Sequence, residues 1–344
     1  MGSIEDVQTI LKQESAKKAL VFTDKGVAGA GLLDKLLAVL DGMQATHRIF
    51  AEIAPDPDTE LVVNGLQQML QHKPDTVIAV GGGSAIDAAK AISFMYRRTA
   101  NVAKPFCVAV PTTSGTGSEA TNFAVITDKS THIKYPIVDD SLLPDLAILE
   151  PSLVCSVPPH ITADTGMDVL THAVEAYVST DAADFSDALA EKAVRLIAQY
   201  LPVAYADGKN MTAREHVHNA SCMAGVAFTH ARLGINHSIA HAIGGRYRIA
   251  HGRSNAIVLP FVIAFNAGLG ENGKVENHDA MARYAYLGKQ VGIGSFSDQQ
   301  TVRSFIVMIE KMMDTFAIPR SLSKAGVEES TFLKDLPELA SIAL

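Results

Sequence analysis

Two pairs of residues at helical spacing stand out first as chemistry. In DTGMDVLTHAVEAY, Asp168 and His172 are four residues apart inside a strongly helical pattern, which puts both side chains on one helix face. In INHSIAH, His237 and His241 repeat the spacing, and His251 follows in IAHGRSN. One carboxylate and several imidazoles, with no thiolate, suit a borderline divalent cation such as Fe(II) or Zn(II) that keeps positions open to substrate. Each pair alone is an ordinary helical neighbour pair in many proteins, and it is their conjunction that points to a metal. Spacing offers five candidates for about four ligand positions and leaves the choice between His241 and His251 open. Other histidines nearby (His216, His218 and His230) read as ordinary surface or core residues.

A second chemistry lies upstream. The apolar run DTVIAV (75–80) leads directly into GGGSAIDAAKAI (81–92), where successive glycines allow a tight turn and bring backbone N–H groups close to an anion. The helix is expected to open at Ser84, with Asp87 three residues on as a capping-box partner. This is not the G-x-G-x-x-G dinucleotide fingerprint. After the next apolar run comes PTTSGTGSEAT (111–121), dense in hydroxyls, and two such loops at successive strand ends of a parallel sheet form a cofactor cleft. Asp24 ends an earlier apolar run, where a carboxylate can bind the ribose hydroxyls of NAD and repel the 2′-phosphate of NADP, or simply close a turn.

The elements that must position these residues follow from periodicity. KALVFT (18–23), HRIFAEI (47–53), DTVIAV (75–80) and PFCVAV (105–110) read as strands, and 32–40, 59–71 and 84–95 as helices between them, the alternation of a parallel sheet. From Pro158 onward strand signals cease, and 164–178, 185–201, 213–229 and 302–316 carry helical patterns. The expected fold is an α/β N-terminal dinucleotide-binding domain, Rossmann-like, over 1–155, then an all-α C-terminal metal-binding domain over 156–344. The proline-rich segment EPSLVCSVPPH (150–160) marks the boundary.

Composition narrows the class. The 344 residues are 48% apolar and 19% charged, which fits a folded globular chain of about two domains and excludes a disordered or low-complexity one. The net charge of −8, with basic residues scattered, argues against nucleic acid and favours a neutral substrate over a carboxylate. The longest apolar run, 256–265, is too short to span a bilayer. Three cysteines without C-x-x-C spacing signal neither disulfides nor a thiolate zinc site. With an acidic, amphipathic start, the chain is expected in the cytoplasm. Neither nucleic acid nor membrane is expected as a partner, and a homo-oligomer is expected separately.

Taken together, GGGSAIDAAKAI, PTTSGTGSEAT, GMDVLTHAVEAY and GINHSIAHAIGGRYRIAHGRSNAIVLP make the chain resemble the iron-containing (group III) alcohol dehydrogenase family over nearly its whole length. Within that family it looks most like the propanol dehydrogenases of propanediol utilisation, through KYPIVDDSLLPDLAILEPSLVCSVPPHITADTGMDVLTHAVEAYVS. The resemblance implies a metal in the cleft between the two domains, with Asp168, His172, His237 and His251 as ligands and His241 as a further active-site histidine that does not bind it. It implies that Gly82, Gly83 and Ser84 form the pyrophosphate loop and Thr112, Thr113 and Thr116 the hydroxyl loop. Lys134 falls near the nicotinamide ribose, and Asp24 matches an acid that disfavours NADP. The family's first strand and final helical segment have no counterpart here, which touches stability, cofactor affinity and oligomer contacts rather than the site chemistry. The implied activity is reversible hydride transfer between NAD(H) and a small primary alcohol or aldehyde, with Fe(II), or else Zn(II), as the metal. The alternatives are a zinc enzyme of the same fold, like glycerol dehydrogenase or dehydroquinate synthase, and a truncated, noncatalytic assembly subunit.

Overall fold

The computed structural model describes residues 4–129, 133–269 and 278–344, with the side chains of 5, 133 and 134 outside the description. Its contacts divide the chain into two compact units, Met1–Cys155 and Ser156–Leu344.

In the first unit, α1 (Val7–Gln13) precedes β1 (Lys18–Asp24), followed by α2 (Lys25–Gly29), α3 (Asp34–Gly42), β2 (Thr46–Ile53), α4 (Thr59–His72), β3 (Thr76–Gly81), α5 (Gly83–Ala100) and β4 (Phe106–Pro111). An antiparallel hairpin of β5 (Phe123–Asp128) and β6 (Ile133–Val138) comes next, then the two-residue strand β7 (Leu146–Ala147). The main sheet is parallel with order β2-β1-β3-β4-β7. Its strands read as unbroken apolar runs because both faces are covered. Val21, Ile78, Val80, Val108 and Val110 point to one face, against Val7 and Leu11 of α1 and Leu36 and Leu40 of α3. Their neighbours Leu20, Phe22, Val77, Ala79 and Ala109 point to the other, against Met69 of α4 and Ile86, Ala89 and Ile92 of α5.

The hairpin is absent from the sequence reading. β5 is only half buried, and β6 contains Pro136 and exposes Tyr135 and Val138, so neither shows the continuous apolar run that marks the central strands.

The second unit is helical: α6 (Pro159–Val178), α7 (Asp184–Ala206), α8 (Met211–Ala231), α9 (Ile235–Tyr247), α10 (His251–Asn266), α11 (His278–Gln290), α12 (Asp298–Thr315) and α13 (Glu329–Ala343). Proline in the first turn of α6 sacrifices no hydrogen bond, since first-turn amides have no partner within the helix. From Thr162 to Tyr177 the helix is buried on almost every side, because α7, α8 and α10 all pack on it. Buried Arg214 of α8 ties down its start, donating to Thr162 Oγ1 at 2.7 Å and to the Val157 carbonyl at 2.9 Å. No helix among the described residues is long and apolar enough to cross a membrane.

Candidate functional site

In the first unit the chemistry gathers at the carboxyl ends of the strands. With β1 flanked by β2 and β3, the sheet reverses its winding direction between β1 and β3, the switch point where open α/β sheets bind ligands. Asp24 ends β1 and Gly81 ends β3, on the two sides of that point. One Asp24 oxygen accepts from the Val27 amide at 2.9 Å and caps α2, while the other lies 3.5 Å from where a Cβ on Gly81 would stand.

The glycine loop and the hydroxyl loop touch. Thr112 N donates to the Gly81 carbonyl at 2.9 Å, and a Cβ on Gly82 would lie 3.3 Å from Thr113 Oγ1. A Cβ on Gly83 would come within 2.6 Å of Thr116 Cγ2, so only glycine permits this approach. Gly82 is the N-cap of α5 and Gly83 its first residue; the capping box of Ser84 and Asp87 does not form, since no side chain caps this helix. Asp87 turns instead to the hydroxyl-loop side, accepting from Ser118 Oγ and from the Val125 amide at 3.0 Å. One turn further, Lys90 is buried, and its Nζ donates to Ser118 Oγ (3.1 Å), Thr121 Oγ1 (3.0 Å) and the carbonyls of Thr121 (2.8 Å) and Phe123 (3.0 Å). Burial pushes this ammonium down to about 8, although Asp87 opposes the shift. The pair thus fastens α5 to the hydroxyl loop. Lys134 lies on β6, its side chain outside the described residues.

In the second unit, α6 presents Asp168 and His172, α9 presents His237, and α10 opens with His251. One potential ligand atom from each lies within 4.8 Å of the others. Asp168, His172 and His237 are buried, whereas His251 is half-exposed. The His172 ring stacks between Phe228 at 4.7 Å and His237 at 4.5 Å, centroid to centroid. Asp168 Oδ1 lies 3.5 Å from His251 Nε2 and 3.7 Å from His237 Nε2, and it accepts from Asn255 Nδ2 at 2.7 Å. His241, one turn beyond His237, is exposed and stands outside this set, its ring stacked on His251 at 4.9 Å.

Two residues absent from the sequence reading complete the surroundings. Glu175 is buried; one of its oxygens accepts from the Asn236 amide at 2.7 Å, and the other is hydrogen-bonded to His237 Nδ1. Asn255, held by Asn236 Nδ2 at 2.9 Å, orients Asp168. Helical spacing carries the signal for both: Glu175 falls three residues after His172 and Asn255 four after His251.

The donor set fits a divalent cation. His172 Nδ1 and His237 Nε2 are buried with no hydrogen-bond partner among the described residues, an expensive state for a polar atom unless something binds there. Burial pushes His172 down to about 3, so it stays neutral, the form that ligates. Burial would raise Asp168, yet the facing imidazoles of His251, His172 and His237 hold it well below the usual carboxylate range. Neither Asp168 nor Glu175 is paired with a lysine or arginine among the described residues; burial would lower His237 between them, yet the hydrogen bonds and charges of the two carboxylates push it up to about 9, so this pocket already draws positive charge. Arg253, two residues past His251, is paired with Asp164 at 3.1 Å.

Comparison with known families divides the chain at nearly the same place as its two compact units. The model for iron-containing alcohol dehydrogenase matches residues 1–151, and that for the C-terminal part of the Fe-containing alcohol dehydrogenase family matches 162–344. The chain belongs to the iron-containing alcohol dehydrogenase family and is an alcohol oxidoreductase of that type. It is 44% identical to the 1-propanol dehydrogenase PduQ of Citrobacter freundii over 97% of this chain and 88% of that one. It is 39% identical to the NADPH-dependent butanol dehydrogenase of Clostridium saccharobutylicum, over 96% of this chain and 85% of the relative. Among solved structures, a 1,3-propanediol oxidoreductase superposes with a TM-score of 0.89 at 36% identity, covering 99% of this chain and 89% of that one.

Proposed function

We propose that the chain transfers a hydride reversibly between NAD(H) and a small, neutral primary alcohol or aldehyde of the propanol and propionaldehyde size. The observation that carries the reading is the Asp168, His172, His237 and His251 cluster with its bare, buried imidazole nitrogens, set in a chain of this family. Those four residues would hold one divalent ion, iron(II) by family and zinc(II) as the alternative. When bound, the ion supplies Lewis-acid polarisation of the substrate oxygen, and the nicotinamide supplies the hydride. The chain's own residues do the rest. Gly82, Gly83, Ser84, Thr112, Thr113 and Thr116 would bind the dinucleotide phosphates through backbone amides and hydroxyls at the start of α5. Asp24 would take the ribose hydroxyls and select NAD over NADP, and Lys134 would approach the nicotinamide ribose. His241, exposed beside His251, would exchange the proton of the substrate hydroxyl.

This assigns dinucleotide binding to 1–155 and metal binding to 156–344. A neutral substrate is favoured because Asp164 meets the charge of Arg253. The identity of PduQ as a 1-propanol dehydrogenase supports the chain length. Cytoplasmic placement and a homo-oligomeric state accompany the proposal as expectations from the sequence.

The test is anaerobic reconstitution with Fe(II) or Zn(II), followed by NADH oxidation against a panel of short aldehydes. Turnover that depends on the added metal and peaks near three carbons is expected. Metal-independent turnover would overturn the reading.

A further inference from the structure

Glu175 lies in the middle of a hydrogen-bond arrangement that suits a carboxylate. One of its oxygens faces a backbone donor, the amide of Asn236, and the other faces Nδ1 of His237. A carboxylate accepts at both oxygens, so Nδ1 of His237 must carry a hydrogen. To ligate a cation His237 must be neutral, with a single N–H, and with that hydrogen fixed on Nδ1 the lone pair is left on Nε2. That is the nitrogen with no hydrogen-bond partner among the described residues and the one turned towards Asp168. The same carboxylate is buried without a lysine or arginine partner among the described residues, so its charge adds to that of Asp168 in attracting a cation.

We propose that Glu175 is a positioning residue for the metal site, which fixes the His237 tautomer so that Nε2 is the ligating atom and adds the second negative charge that balances a divalent ion. The inference rests on the proposed function in taking the Asp168, His172, His237 and His251 set as the ligands. A partner of this kind for a ligating histidine contributes roughly 10–100-fold in metal affinity.

Glu175→Gln separates tautomer from shape. The amide is nearly isosteric, but it accepts at one end and donates at the other. If its oxygen keeps the Asn236 amide, its NH2 faces His237 and drives the ring hydrogen to Nε2, where the metal must bind. Turned round, it sets two donors against each other at Asn236. Glu175→Asp keeps two acceptors and the charge on a shorter stem.

The affinity of the full-length apoprotein for Zn(II) and for Co(II) is measured by chelator competition, with melting temperature as the control. Glu175→Gln is expected to lose about 10–100-fold in affinity while melting close to wild type, and Glu175→Asp to retain more affinity than Glu175→Gln. Wild-type affinity in Glu175→Gln would overturn the proposal. So would equal weakening in both variants, since the loss would then follow packing rather than the acceptor pattern. If Glu175→Gln does not fold, Glu175→Asp decides, and loss of metal in a folded Glu175→Asp protein would count against it. A wild-type chain that takes up neither ion would instead sink the proposed ligand set.

Discussion

Gly252 stands so close to Asp164 that a Cβ on it would lie 2.0 Å from the Asp164 carbonyl oxygen and 3.2 Å from the Cβ of Asp168. This is where α10 meets α6, one residue after His251, so the absent side chain sets the distance between two candidate ligands. Gly252→Ala must push the helices apart. Overpacking of this kind costs about 1–3 kcal/mol. A lower melting temperature together with loss of bound metal is expected in the purified variant. Full metal content would show that the close approach does not govern the site.

His241 and His251 stack on each other, yet the structure places only His251 in the four-residue set. His251→Ala and His172→Ala should lose metal along with turnover. His241→Ala should keep near-stoichiometric metal and lose kcat, on the order of 10²-fold as for other positioned acid or base groups, with an altered pH profile. Metal analysis of the three purified variants checks this, and metal loss in His241→Ala with retention in His251→Ala would reverse the two roles.

Asp24 already has one task, capping α2 through Val27. If it also excludes a 2′-phosphate, Asp24→Gly should narrow or invert the preference for NADH over NADPH, mainly through the KM for cofactor. Glycine is itself a tolerated N-cap, so stability should change by only a few tenths of a kcal/mol. A wild-type chain that accepts NADPH as readily as NADH would reduce Asp24 to its capping role.

Lys90 gives a pH signature. Its value in the fold, about 8, lies below the ordinary lysine value of 10.5, so the unfolded chain binds the extra proton between those limits. The contribution of this group to stability therefore rises with pH from about 8 to 10.5, and that gain is lost again as pH falls back to 8. Urea unfolding of wild type and Lys90→Met across that window should show the stability difference moving in favour of wild type as pH rises. A difference independent of pH would mean that Lys90 is not titrating from its buried position.

Much of the candidate site was legible because helical spacing and strand-end position are local properties. Asp168 with His172, and the glycine and hydroxyl loops, could be found by counting residues. Spacing could not decide between His241 and His251, because that depends on how the start of α10 meets α6, a contact between segments more than eighty residues apart. Asp87 shows the opposite error: its place three residues after Ser84 suggested a cap, but Ser118 and the Val125 amide, distant in sequence, claim its carboxylate. The hairpin of β5 and β6 escaped notice because half-buried and exposed strands carry a weak pattern, whereas β3 and β4, covered on both faces, could not be mistaken.

Helix α6 carries Asp168, His172 and Glu175 along one face, across about two turns. A helix adds about 100° of rotation with each residue, so inserting or deleting a single residue between 168 and 175 would swing everything beyond it about a quarter-turn away. Substitutions in this stretch can be graded in effect, but length changes cannot, because the helix serves as a ruler with whole-residue divisions. Variation in length among chains that keep this chemistry should therefore fall in the loops between helices, and the interval from Asp168 to Glu175 should hold at seven residues.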